Sequence, residues 1–177
     1  MQDGREVMIR QLTVEDCEYN GNYEKMYQWL HQVNTFLTRE FNESDLEQNK
    51  KQFYEFLSSP EKAFTIAGFF TAKIIAQTML RYNFKKKKTS HVGNWGIVIH
   101  PEFQHQGLGF KLLQLMEQIA ERKGLTRLEA AYVDGNIAAE TLYLKKLHYQ
   151  VEGRKKNGIL MEDGEYRDVI AIGKLII

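Results

Sequence analysis

The sequence predicts one domain of the mixed α/β (α+β) class, built on a central sheet of about six to seven strands. Three observations carry that expectation. Stretches at 7–12, 63–67, 73–82, 91–99, 127–133, 149–154 and 166–175 read as strands. Between them lie helical segments, marked by Tyr23, Met26, Tyr27, Leu30, Val33 and Leu37 and later by Leu112, Leu115, Met116 and Ile119 at helical spacing. The chain of 177 residues, 43% apolar and 27% charged, is also long enough to bury one core and ordinary in composition for a folded protein.

The elements follow in order. After the strand at 7–12, Thr13 with Asp16 three residues on reads as the N-cap of a helix over 14–20. A second helix is expected over 23–37. Its aromatics Tyr23, Tyr27 and Trp29, with Phe36, should be mostly core, with one or two lining a pocket. Ser44-Asp45 caps a third helix, which ends near Leu57 ahead of Pro60. Strands 63–67 and 73–82 are joined by a turn expected near Gly68. Residues 83–90, including Lys85 to Lys88, read as a solvated hairpin loop. The helix over 110–123 sets its apolar stripe against Lys111, Gln114, Gln118 and Glu121, and Gly124 is its natural stop. Strand 127–133, a helix over 137–147, and two closing strands separated by a loop over 157–166, read from Gly158 and Gly164, complete the chain.

Composition narrows the function classes. Lysine and arginine number 24 against 23 aspartates and glutamates, a formal charge of +1, so no global field favours nucleic acid or an anionic membrane. The Lys85–Lys88 run has no aromatic-interleaved basic face around it that would support nucleic-acid binding. One cysteine, Cys17, excludes an intramolecular disulfide and fits a reducing compartment. No run approaches the ~20 apolar residues of a membrane helix, and no signal segment opens the chain, so a cytoplasmic protein is the expectation.

The most informative stretch is Gln104-His105-Gln106-Gly107-Leu108-Gly109, which follows Trp95-Gly96-Ile97-Val98-Ile99 and leads into the helix. In the order strand, glycine loop, helix, the loop amides and first helical N–H groups converge where the helix dipole favours an anion. The loop lacks the Gly-Lys-Ser/Thr ending of the Walker pattern and the third glycine of the dinucleotide fingerprint.

It matches Gln/Arg-x-x-Gly-x-Gly/Ala, and a second match lies downstream: Asn136-x-x-Ala139-x-x-x-Tyr143, then Leu147-His148-Tyr149. On these two motifs the segment from Gly93 to Tyr149 resembles the GCN5-related N-acetyltransferases, the GNAT superfamily. The resemblance implies a GNAT fold, with helices on both faces of the sheet, and direct transfer of an acetyl group from acetyl-coenzyme A to an amine in a ternary complex. It assigns the pyrophosphate cradle to Gln104, His105, Gln106, Gly107, Leu108, Gly109, Phe110 and Lys111, and backbone pairing with the pantetheine arm to Ile97, Val98 and Ile99. Asn136 matches the residue that bonds a pantetheine amide, although a lone Asn there also reads as an N-cap. Tyr143 matches the general acid for the departing thiolate, against the plainer reading of a core aromatic. No metal is implied. A small-molecule amine is the expected acceptor, with a protein N-terminus or lysine as the alternative. A homodimer is common in the family.

The amine must lose a proton to attack, since alkyl ammonium groups hold theirs to about pH 10.4. In the family a glutamate on this strand or the next serves. The matching positions here are Asn94 and Ala131, which cannot take a proton. His91, His100, Glu40, Glu43 and a water relay remain as alternatives, while Glu129, alternating with Leu128, is expected to face out from the core. His148-Tyr149 replaces the family's Gly-Phe, where glycine commonly ends the helix in a left-handed turn that a histidine can occupy at some cost. The missing carboxylates keep open a non-catalytic acyl-CoA-binding protein, and the loop alone a nucleotide-phosphate-binding one.

Overall fold

The computed structural model describes residues 1–33, 36–38 and 41–176. Its strands are β1 (Met8–Gln11), β2 (Ala63–Phe70), β3 (Lys73–Tyr82), β4 (Val92–Ile99), β5 (Arg127–Val133), β6 (Gln150–Leu160) and β7 (Tyr166–Leu175). They form one seven-stranded sheet in the order β1-β2-β3-β4-β5-β7-β6. All neighbours are antiparallel except β4 and β5. The helices are α1 (Val14–Glu18), α2 (Asn22–Gln32), α3 (Leu46–Leu57), α4 (Leu108–Arg122) and α5 (Ile137–Glu140), the last continuing as a π-helical turn over Thr141–Lys146.

Each face of the sheet has its own apolar layer. Leu108, Leu112, Leu113 and Met116 of α4 pack with Trp95, Leu128 and Tyr143 on one side. Leu12, Cys17, Tyr23, Met26 and Leu30 pack against Ala67 and Ile74 on the other, so α1 to α3 cover the opposite face. Helices therefore flank both faces, as the resemblance implied.

Local chemistry accounts for several boundaries. Thr13 and Asp16 form the expected capping box: the Thr13 hydroxyl accepts from the Asp16 N–H, and the Asp16 carboxylate accepts from the Thr13 N–H. Gly124, at φ +80°, follows α4 as its left-handed stop. Five expectations need correction. Helix α1 stops at Glu18, short of residue 20, because Asn20 is left-handed at φ 51°. Helix α2 ends at Gln32 although its apolar spacing runs on to Leu37, and residues 34 and 35 lie outside the described residues. Asp45 precedes α3 without a side-chain cap bond, a short 3-10 turn over Glu43–Asp45 leading in instead. The turn expected at Gly68 falls at Thr71 and Ala72, both with positive φ, and Gly68 stays inside β2 at a bulge, where a β-carbon would meet Val7 Cγ1 at 3.2 Å. At the end of the chain β6 extends through Leu160, so only the last part of the loop expected over 157–166 is a loop. The irregular pairing between Lys155 and Ile159 marks the stretch that its glycine content had suggested was unstructured.

Candidate active site

The glycine loop leaves the end of β4 through a 3-10 turn, Pro101–Phe103. Gln104 Nε2 donates to the Ile99 carbonyl at 3.0 Å, so this carboxamide ties the loop to the strand. His105 (φ 57°) and Gly107 (φ 80°) are both left-handed, a conformation that costs histidine but not glycine. Helix α4 starts with Gly107 as its N-cap and no side-chain cap bond, so the first N–H groups of this 15-residue helix are left for an external acceptor. The two glycines serve different ends. Gly107 needs its positive φ, whereas a β-carbon on Gly109 would meet Ile99 Cδ1 at 3.0 Å and Leu142 Cδ2 at 3.1 Å. Leu108 is buried in the core, so only its backbone faces the loop. The Lys111 N–H is spent on the Gly107 carbonyl at 3.2 Å, leaving that residue's ammonium.

Beside the loop the sheet opens. Strands β4 and β5 pair through Val92↔Arg127, Gly93↔Leu128 and Asn94↔Glu129 and no further, although β4 runs on to Ile99 and β5 to Val133. Among the described residues β4 is paired only with β3 from Trp95 onward, which leaves its β5-facing edge unpaired through Ile97, Val98 and Ile99. A cavity of about 660 Å³ fills this fork and crosses the sheet. Trp95, Ile97, Tyr132 and Tyr143 line it from the α4 side, and Asn94, Val98, Glu129 and Ala131 from the other. Tyr23, Leu30, Phe41, Phe53 and Phe56 roof it, and Phe36 adds to the rim, whereas Tyr27 and Trp29 stay in the core. A larger depression of about 920 Å³ beside β1 takes in neither the fork nor Tyr143.

Tyr143 sits on the π-helical turn, buried between Trp95 (ring centroids 5.0 Å apart, 82°) and Tyr132 (6.0 Å, 67°). The Tyr149 N–H donates to its carbonyl at 2.9 Å, and His148 takes the left-handed conformation (φ 62°) that the family's glycine commonly supplies, which makes that return possible. Burial alone pushes the Tyr143 phenol well above its ordinary pKa, so at neutral pH it holds its proton. Asn136 does act as an N-cap: its Oδ1 accepts from the Ala139 N–H at 3.0 Å while the residue also lines the cavity.

The proton acceptors named from sequence lie elsewhere. His91 is exposed and its carbonyl accepts from Thr126 and Arg127. His100 packs on Trp29 and Phe103, its Nδ1 accepts from the Glu102 N–H at 3.3 Å, and burial lowers its pKa. Neither histidine nor Glu43 lines the cavity, and Glu40 lies outside the described residues. The carboxylates that do line it, among the described residues, are Glu129 and Glu152. Glu129 faces out from the α4-side core as expected, but outward here means into the cavity, at the last paired position of the fork. Arg127 holds both: its Nε donates to Glu129 Oε1 at 2.8 Å and its Nη2 to Glu152.

Cys17 is fully buried and burial pushes its thiol up to about 12, so it is not a nucleophile at neutral pH. Among the described residues no three His, Cys, Asp or Glu side chains cluster as metal ligands do, and no helix is long and apolar enough to cross a membrane.

Known proteins share this fold. The acetyltransferase of the GNAT family from Streptococcus pneumoniae superimposes with a TM-score of 0.75 at 26% identity, over 96% of this chain and 99% of its own. An N-acetyltransferase from Staphylococcus aureus Mu50 gives 0.80 at 13% identity, over 97% and 99%. The ribosomal-protein-S18-alanine N-acetyltransferase of Escherichia coli gives 0.71 at 20% identity, over 97% and 94%. No curated protein sequence matches the chain. Residues 24–149, well over half the chain, match the model of the acetyltransferase (GNAT) family. The overall fold thus agrees with the family match, and the chain belongs to the GNAT acetyltransferase family.

Proposed function

We propose that this protein is an N-acetyltransferase that uses acetyl-coenzyme A to acetylate a small-molecule amine directly. The observation that carries the reading is the fork between β4 and β5, whose cavity is lined by a buried phenol and a carboxylate, with the uncapped start of α4 packed against Ile99 at the open end of β4. An unpaired strand edge beside a set of free N–H groups suits an extended amide chain that ends in a pyrophosphate. The residues that would hold the cosubstrate are Ile97, Val98 and Ile99, the backbone of His105 to Phe110, the Lys111 ammonium and Asn136. When bound, acetyl-coenzyme A would supply the acetyl group as an activated thioester, and free coenzyme A would leave as the thiol.

The chain's own groups divide the proton work. Glu129, at the closed end of the fork, takes the proton that the acceptor ammonium must lose, directly or through water. Tyr143 holds its proton at neutral pH and donates it to the departing sulfur. The cavity's size and its aromatic roof favour a compact acceptor. The test is free-thiol release from acetyl-coenzyme A against small amines and N-terminal peptides. Acceleration by one or more small amines is expected. Acceleration by peptides alone would transfer the reading to a protein acceptor, and tight coenzyme A binding with no acceleration would favour a non-catalytic binding protein.

A further inference from the structure

The phosphate loop is touched by a segment that lies far from it in sequence. Arg5 Nη2 donates to the Glu102 carbonyl at 2.6 Å, just ahead of the loop. The same guanidinium lies 4.0 Å over the ring of Phe103, which is buried and packs on Phe70 at 5.3 Å. The Gln2 N–H donates to the Gln106 carbonyl at 3.4 Å, inside the loop. The Gln2 side-chain nitrogen lies 4.0 Å from where a β-carbon on Gly107 would sit, next to the first free N–H groups of α4. Residues 2 to 5 thus grip the loop at one point before it and one point within it.

We propose that residues 2–5 form a strap that holds the 104–107 loop in its anion-binding shape, with the Gln2 carboxamide adding an N–H donor to the cradle. This rests on the reading of the loop as the coenzyme A pyrophosphate site. The strap acts by position more than by charge. Asp3 accepts from the Arg5 backbone N–H at 3.1 Å and from Nε at 2.7 Å, folding the strap on itself and offsetting its cation. What the loop needs is restraint, because it carries two left-handed residues, His105 and Gly107, and no side-chain cap. A loop already fixed in its bound shape loses less freedom when an anion arrives. The Gln104-His105-Gln106 sequence, with neither Arg nor Lys, makes such help more consequential.

The experiment is calorimetric titration of coenzyme A into the full chain and into Arg5→Ala and Gln2→Ala variants, with kcat and KM for acetyl-coenzyme A measured in parallel. Loss of a hydrogen bond that shapes or completes an anion site predicts about tenfold weaker binding for Arg5→Ala and about threefold for Gln2→Ala. KM should rise in step and kcat stay level, a split that general loosening of the fold would not give. Arg5→Lys, which keeps the charge but not the planar stacking, should remain impaired. If wild type binds coenzyme A and both alanine variants bind within twofold of it, the strap is overturned alone. If wild type does not bind coenzyme A, the cradle reading falls and the strap with it.

Discussion

Replacing Tyr143 with phenylalanine removes one oxygen and leaves the ring where it is. The ring is held by Trp95 at 5.0 Å and Tyr132 at 6.0 Å, contacts that phenylalanine keeps. Burial is what raises the hydroxyl's pKa, and its loss strands no partner among the described residues, so stability should change by less than about 1 kcal/mol. Catalysis should behave differently. A positioned general acid contributes roughly 10²–10⁴-fold, so kcat should fall at least about 100-fold. The coenzyme A dissociation constant should stay within about twofold, because the cradle lies on the loop and not on the phenol. Thiol release gives kcat and KM, calorimetry gives the dissociation constant, and a thermal melt confirms that the fold is intact. Turnover within threefold of wild type in a variant that folds and binds would refute the role given to Tyr143.

Other consequences follow from named contacts. Glu129→Gln keeps a side chain that accepts from Arg127 but cannot take a proton. It should cost roughly 10²-fold or more in kcat with little change in melting temperature, since the pair is partly exposed; unchanged kcat would remove Glu129 from the mechanism. Gly93→Ala puts a β-carbon within 2.9–3.0 Å of Leu125, Leu80 and Leu128 at the closed end of the fork. Overpacking of this kind should destabilise by about 1–3 kcal/mol, read from urea midpoints. The Arg10 guanidinium, hydrogen-bonded to the Asp16 carboxylate, lowers its pKa, so the stability it lends is present above its unfolded value and lost as pH falls through the folded one. Asp16→Asn should therefore be less stable than wild type at pH 7 and show a flatter decline below about pH 4; parallel acid limbs in the two proteins would contradict this.

Legibility in the sequence tracked how local each feature is. The glycine loop, the capping box and the left-handed His148 are set by residues within a turn of one another, and all three stood in the sequence. The side to which Glu129 turns was legible as alternation along β5, but its significance was not. That depends on where β4 and β5 stop pairing, which no single segment encodes. Glycine misled twice. Gly68 reads as a turn residue, yet it lies in β2 at a bulge where Val7 leaves little room for a side chain, while Thr71 and Ala72 take the positive φ values. Gly158 suggested a loop, yet it lies in β6, where a β-carbon would meet the Lys155 carbonyl at 3.0 Å. The π-helical turn around Tyr143 carries no periodic signature that sets it apart from an ordinary helix, although such turns often fall at functional sites. The grip of Arg5 on Glu102, 97 positions apart, has no local sign at all.

The central claim is that the open edge of β4 and the loop after it receive coenzyme A, and amide hydrogen exchange tests it most directly. Peptides covering 95–99 and 104–111 should gain protection when coenzyme A is added, while peptides in the β6–β7 hairpin should not change. Protection appearing elsewhere, or none at those two segments under saturating coenzyme A, would contradict the account.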